Sequence, residues 1–364
     1  MPSVGDWISL LDEWFPPAWA EAWDNVGLQV GDRSWTADQA LVALDPTLEV
    51  VAEAAAKSCG LVVTHHPLLF RPLSRLDMTD PVSRTAAAAL SAPAAIVACH
   101  TNADAAKPGV NDALAAALDL EVTGTLKLTT AEDVMKLVVF VPAEATAKVL
   151  DAVAGAGAGV IGEYDHCSFR VRGSGTFRPS PRANPAVGER GEINTVEEDR
   201  LEMVVPRPRL EASVEAMLDA HPYEEVAYDL YPLAGGTGMG IGRLTRPREP
   251  LRTGDLAERC RDRLGVDVRV AGDRNRDVRT AAICGGSGAS YIPAAVAAGV
   301  DAYVTGDVKH HDALDAIAAG LFVIDAGHHG TEWPFVPHLA DRLREAGPGE
   351  VLVSETPTDP FAAP

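Results

Sequence analysis

"LVVTHHPLLF", residues 61–70, is the stretch from which the fold and the chemistry can both be read. Leu61, Val62 and Val63 form a short apolar run, then two adjacent imidazoles appear, then Pro67 and three more apolar residues. A run of this length, rich in β-branched residues, reads as a strand buried on both faces. Its neighbours agree. "QALVALD" (39–45) reads as a strand and "PTLEVVAEAAAKSCG" (46–60) as a helix ending at Gly60. Beyond the histidines, "VSRTAAAALSA" (82–92) reads as helix, "AAIVACH" (94–100) as strand and "VNDALAAALDL" (110–120) as helix. Short apolar runs separated by helices predict parallel strands covered on both sides.

The same grammar returns near the carboxyl end. "RTAAICGGSGAS" (279–290) predicts a strand entering a glycine turn, "YIPAAVAAG" (291–299) a helix and "VDAYVTGD" (300–307) a strand. "HDALDAIAAG" (311–320) then predicts a helix, "LFVIDAG" (321–327) a strand and "FVPHLADRLREAG" (335–347) a final helix. The fold class expected is therefore α/β: two similar halves, 1–128 and 234–364, forming one mostly parallel-sheet body. Between them, 129–233 has a different texture. "DVMKLVVFVP" (133–142), a helix over 143–157, a hairpin candidate "HCSFRVRGSGTFRPSP" (166–181), "RLEMVVP" (200–206), a helix over 209–220 and "EEVAYDLYPL" (224–233) give a β-α-β-β-α-β order. That is the order of an inserted ferredoxin-like α+β domain, with "AGGTGMG" (234–240) as the return linker.

The chain has 364 residues, 47% hydrophobic and 23% charged, enough for a large core. A formal charge of −21 argues against general nucleic-acid binding. No run approaches the ~20 apolar residues of a membrane span, and "MPSVGDWISLLDEW" lacks the basic and apolar regions of a signal peptide. Five cysteines, at 59, 99, 167, 260 and 284, lack CxxC spacing and read as reduced core residues of a cytoplasmic protein.

Seven of the ten histidines fall in four segments at the carboxyl ends of expected strands: His65 and His66, His100, His310 and His311, His328 and His329. Ligands of open parallel sheets sit at those ends. Acidic residues accompany them: Asp104 in "CHTNADAA", Asp307 in "TGDVKHH" and Glu332 in "GHHGTEW". Imidazoles with carboxylates suit Zn, Fe, Mn, Co or Ni as divalent ions. Adjacent strand residues point to opposite faces, so His65 and His66 can converge only beyond the strand's end, where two imidazoles can reach two ions. His166, His221 and His338 lie outside the pattern and read as structural. Pro334 and Pro337 fit only near a helix start, which places the helix start close to Thr331 and His328 in the loop before it. "CGGSGAS" (284–290) is open to two readings, a phosphate cradle or a tight structural turn. "EAWDNVGLQVGD" (21–32) reads as a rim loop, support for the site, or a capping turn.

Taken in order, "WDNVGLQVGD", "VVTHHPLLF", "CHTNADAA", "GGSGAS", "DAYVTGDVKHHDA" and "DAGHHGTEWP" make the chain resemble the NIF-three-like family, also labelled GTP cyclohydrolase 1 type 2 homologs, over almost its full length. The resemblance implies a dinuclear metal centre, a homohexamer and, in long members, a PII- or CutA-like insert. It implies His65, His66, Asp104, His328 and Glu332 as ligands of two divalent ions. It also implies that His100, Asn102 and His311 line the same cavity, with His100 and His311 as candidates for moving protons. His310 stands where an aromatic residue is usual, and His329 is a second histidine beside a ligand. Two functions follow as expectations: a metal-dependent hydrolase acting on a nucleotide or related small molecule through a metal-bridged water, or a non-catalytic metal-binding regulatory oligomer whose insert binds an effector. No membrane partner is expected.

Overall fold

A computed structural model describes residues 1–128, 134–161, 164–233 and 239–361. The chain separates into two compact units, residues 1–127 with 239–364, and residues 128–238. Residues 234–238 of the expected linker lie outside the described residues.

The larger unit, the expected body, is mixed α/β, with two main sheets, each partly antiparallel, and a small two-stranded one of Leu251–Arg252 and Asp277–Val278. The first sheet runs in the order Gly27–Val30, Ala95–Ala98, Leu61–Thr64, Gln39–Ala43, Glu350–Val353. All its pairings are parallel except that of Gly27–Val30 with Ala95–Ala98. Alternation divides its residues between two cores. Val42, Leu61, Val63, Ala95 and Val97 pack with Trp7, Phe335, Leu339 and Leu343, whereas Leu41, Val62 and Ile96 pack under Val50, Val51, Ala54 and Ala89 of two alanine-rich helices. The "LVV" strand is thus apolar at every position because both its faces are covered.

The second sheet runs Arg269–Ala271, Phe322–Asp325, Ala302–Thr305, Ala281–Ile283, Gly240–Pro247, Leu120–Leu128. Its three central α/β strands are parallel, but Arg269–Ala271 and Gly240–Pro247 join antiparallel. The two halves also exchange elements. Leu114 and Leu118, on a helix of the first half, pack on Ile283, Val304 and Ile324 of the second sheet. The helix Phe335–Ala346, from the chain's end, covers the first sheet, and the strand Glu350–Val353 extends it. That last strand was not anticipated: "EVLV" is only four residues long and follows directly on a Gly-Pro-Gly turn.

The smaller unit has the strands Val134–Pro142, Ser168–Phe177, Asn194–Pro206 and Tyr228–Pro232 with helices Thr146–Gly155 and Leu210–Ala220. Its sheet order is Ser168–Phe177, Asn194–Pro206, Val134–Pro142, Tyr228–Pro232, antiparallel throughout. The segment 166–181 is no hairpin by itself; it forms one long strand whose partner lies beyond the 178–193 loop. Leu137, Val139, Val141, Leu201, Met203 and Val205 meet Val149, Val153 and Met217 on one face of this sheet. No helix among the described residues is long and apolar enough to cross a membrane. All five cysteines are free; Cys167, unlike the other four, is not buried.

Candidate metal centre

The strand Leu61–Thr64 stops just before the histidine pair. The Thr64 hydroxyl donates to the His66 carbonyl at 2.7 Å, and the His66 N–H donates to the Leu44 carbonyl at 3.0 Å. This turn places the two rings 5.0 Å apart and tilted by 45°, so both lie toward one pocket. His100 follows the strand Ala95–Ala98 at the start of the helix Thr101–Ala105, with its ring 5.2 Å from that of His65. His328 opens a five-residue helix, His328–Glu332. The expectation that His328 lies in a loop is therefore corrected: the helix ends at Glu332, with Trp333 capping it before Pro334, and the i, i+4 spacing does place His328 and Glu332 on one face, 3.2 Å apart.

Each of these four imidazoles is fixed through its outer nitrogen. The Nδ1–H of His65 donates to the Cys99 carbonyl at 2.8 Å. Those of His66, His100 and His328 donate to Asp45, Asp24 and Asp307 at 2.7, 2.8 and 2.7 Å. Asp24 is itself held by the Thr101 backbone N–H and hydroxyl. This fixes the tautomer, so that in the neutral ring each Nε2 carries a lone pair. Those lone pairs converge. The His66 Nε2 lies 3.0 Å from Glu332 Oε2 and 3.3 Å from the His328 Nε2, and the His65 Nε2 lies 3.5 Å from Glu332 Oε1 and 3.8 Å from Asp104 Oδ1. His65 Nε2, Asp104 Oδ1 and Glu332 Oε2 are buried without a hydrogen-bond partner.

Acceptors facing acceptors in a buried place repel unless positive charge lies between them. Protonation shows the same demand. Burial alone would lower the pKa of His66, yet Asp45 and Glu332 raise it to about 10; His328, likewise opposed by burial, is raised to about 9 by Glu332 and Asp307. Burial would raise that of Glu332, but His65, His328 and His66 hold it well below the usual carboxylate value. Asp104 is raised by its burial. Two donor groups have the compactness a metal ion requires: His65, His66 and His100, and His66, His328 and Glu332. The side chains present fit a divalent cation.

Glycines make the room. At Gly286, φ is +64°, and a Cβ there would lie 2.1 Å from Glu332 Oε1. The "CGGSGAS" turn therefore serves close packing. Its Gly285, Gly286 and Gly288 N–H groups donate to Asn111, Thr331 and Thr305, so they are not free to cradle a phosphate. A cavity of about 450 Å³ opens on the cluster between Trp23, Phe70, Ile241 and Tyr291, with His66, His100, Asp104, His328 and Glu332 on its floor.

Not every expected residue is gathered here. His311, exposed on the helix His310–Ala318 beside His310, lines neither this cavity nor the one on the other side of His66 and His328. Asn102 is buried, and its amide donates to the Phe15 carbonyl instead of facing the cavity. His329 stacks on Trp333 at 5.3 Å. His221 donates from Nε2 to the Phe140 carbonyl, a structural bond. Asp45 was not singled out from the sequence; the one signal was its place just past the strand Gln39–Ala43, at the same strand-end level as the histidines.

The family model for Duf34/NIF3 (NGG1p interacting factor 3) matches residues 2–360. The chain belongs to the Duf34/NIF3 family. It is 39% identical over 360 residues to a Bacillus subtilis protein named GTP cyclohydrolase 1 type 2 homolog, covering 97% of this chain and 96% of that one. A Mycobacterium tuberculosis protein of the same name is 40% identical, with 94% and 91% covered. Among solved structures, a Bacillus cereus protein related to NIF3 superposes with a TM-score of 0.69 at 38% identity, covering 100% of this chain and 99% of that one. A Staphylococcus aureus protein gives 0.73 at 29% identity, with the same coverage.

Proposed function

We propose that this Duf34/NIF3 chain is a metal-dependent hydrolase of a nucleotide or related small molecule, with two divalent ions held by His65, His66, His328, Glu332 and Asp104. The observation that carries the reading is the meeting of buried Nε2 lone pairs around the Glu332 carboxylate. His100 is proposed as a further ligand rather than a proton carrier, since its Nδ1–H is held by Asp24 and its ring groups with those of His65 and His66. His66 has one free lone pair and would serve one ion, so the support for a second is the Glu332 carboxylate, whose Oε1 lies toward His65 while Oε2 lies toward His66 and His328. When bound, such ions lower the pKa of water and polarise a substrate oxygen.

The residues around them supply the rest. Trp23, Phe70 and Tyr291 give the cavity aromatic walls suited to a flat ring, with Trp23 and Phe70 packed edge-to-face at 5.6 Å. Among the described residues no lysine or arginine lines it, so an anionic substrate would meet its countercharge in the metals. The names of the relatives support ring-opening hydrolysis of GTP as the first reaction to test. The insert is proposed to be a PII- or CutA-like domain, on its β-α-β-β-α-β order. Self-assembly is supported by Phe70, Leu73, Leu76 and Met78, all exposed within one loop; six copies is the number that the family resemblance implies.

Elemental analysis of the purified wild type beside His65→Ala and Glu332→Ala tests the site, with a GTP and phosphoester screen of metal-replete protein testing turnover. Near-complete metal loss in both variants is the expected result; unchanged occupancy refutes the site. Full occupancy with no turnover refutes the hydrolase.

A further inference from the structure

The insert contains a second cavity, of about 400 Å³, within the ~300–1,000 Å³ range of small-molecule pockets. It lies on the sheet face opposite the two helices. Register shows why: Glu198 pairs with Pro142 on one side and Gly173 on the other, so Glu198, Phe140, Gly175 and Phe177 project from the face that Leu137, Val139 and Leu201 leave. The loop after Phe177, with Pro179, Pro185 and Val187, closes over them. It is held there by the Asn184 N–H, which donates to the Glu224 carboxylate at 2.7 Å.

The charged groups in this apolar pocket are few and mostly acidic. Glu198, Glu224 and Glu225 line it, against Arg178 alone. The Tyr223 hydroxyl is half-buried there beside the Glu198 carboxylate, to which it donates, leaving its oxygen lone pair open to a further donor. Gly175 creates the space Glu198 occupies: a Cβ at that position would lie 2.3 Å from Glu198 Oε2. The carboxylate thus rests over Gly175 on the sheet, in a cavity that Phe140 and Phe177 also line. An ammonium group satisfies all of these features. It donates to the carboxylate and to the tyrosine oxygen, and aromatic faces attract it.

We propose that the insert binds a small organic ammonium ion, with its charged nitrogen on Glu198 and Tyr223 and its apolar body against Phe140, Phe177 and Pro179. The site is independent of the metal centre and of any reaction there.

Calorimetric titration of the full-length protein with benzylamine, and separately with benzoate, tests it. Benzylamine is expected to bind and benzoate not, since ring size is matched and only the charge is reversed. Glu198→Gln removes the charge-assisted bond and is expected to weaken benzylamine binding about tenfold or more. Gly175→Ala, which displaces the Glu198 carboxylate without touching its charge, should weaken it too, and serves alone if the first variant fails to fold. Absence of benzylamine binding, equal binding of benzoate, or wild-type affinity in every folded variant overturns the proposal.

Discussion

His66 and His328 are 262 residues apart in the chain, and their Nε2 atoms come within 3.3 Å of each other. Both rings have committed Nδ1–H to an outer carboxylate, Asp45 for one and Asp307 for the other. Neither ring can turn away without leaving a carboxylate partner behind. The pair is therefore held in a geometry that is unfavourable for two neutral rings and favourable around a cation.

The outer carboxylates should consequently matter to metal binding without touching the metal. Asp45→Asn and Asp307→Asn are each expected to lower metal affinity about 10–100-fold, measured by competition with a chromophoric chelator. His311→Ala, on an exposed helix surface, is expected to leave that affinity unchanged. Equal loss in His311→Ala and the two aspartate variants would remove the geometric argument.

Gly286 gives a sharper case. Alanine there would adopt a φ of +64°, costing about 1–2 kcal/mol, and would press on the Glu332 carboxylate. Gly286→Ala should bind metal poorly while its secondary structure, by circular dichroism, stays that of the wild type. Gly299 also has a positive φ, but a Cβ there meets nothing. Gly299→Ala should therefore show the backbone cost alone and keep its metal.

This contrast marks what was legible in the sequence. The strand-end histidines were, because "THHP" and "ACHTN" each follow an apolar run of the kind only a buried strand needs. His328 and Glu332 were found, but the short helix joining them was not, because two prolines downstream signal where a helix begins and say nothing of a single turn before it. Asp45 was hidden because an aspartate before a proline is ordinary turn composition. The division into two sheets was hidden as well. Each half shows the same strand-helix alternation, and nothing local reveals that Leu114 and Leu118 pack across on the second sheet while Phe335 and Leu339 pack back on the first.

The unanticipated final strand is tied down by one carboxylate. Glu53 accepts from the Ser354 hydroxyl at 2.6 Å, the Glu355 and Thr356 N–H groups at 3.0 and 3.2 Å, the Thr356 hydroxyl at 2.7 Å and Lys57 at 2.7 Å. Burial opposes the charge, but these donors outweigh it and lower the Glu53 pKa from 4.5 to about 2. Because the folded value is depressed, the stabilisation is fully present above the unfolded value and is lost as pH falls from about 4.5 through about 2. Glu53→Gln should destabilise the chain at pH 7 and flatten this acid limb. Urea denaturation at pH 7, 4.5 and 3 measures both; a difference from wild type that is constant across the three would contradict the clamp.

Arg243 holds the exchanged halves together from inside. Its side chain is fully buried, yet it comes from the strand Gly240–Pro247 of the second sheet and reaches the first half. There it binds Asp112 through Nε at 3.0 Å and Nη2 at 2.7 Å, and also donates to the Ala106 carbonyl. Asp112 in turn accepts the Gly109 N–H at the start of the helix Val110–Ala117. Ala106 immediately follows the helix that carries Asp104, so the guanidinium braces the backbone on which that candidate ligand stands. Removing one member of a buried pair leaves the other charged and unpaired, at about 3–5 kcal/mol. Arg243→Ala should lose that much in urea denaturation. Arg243→Lys should recover little of it, because an ammonium cannot make the forked contact with both Asp112 oxygens and the carbonyl. If Arg243→Lys matched the wild type in stability and metal content, the brace would be charge alone and the fork irrelevant.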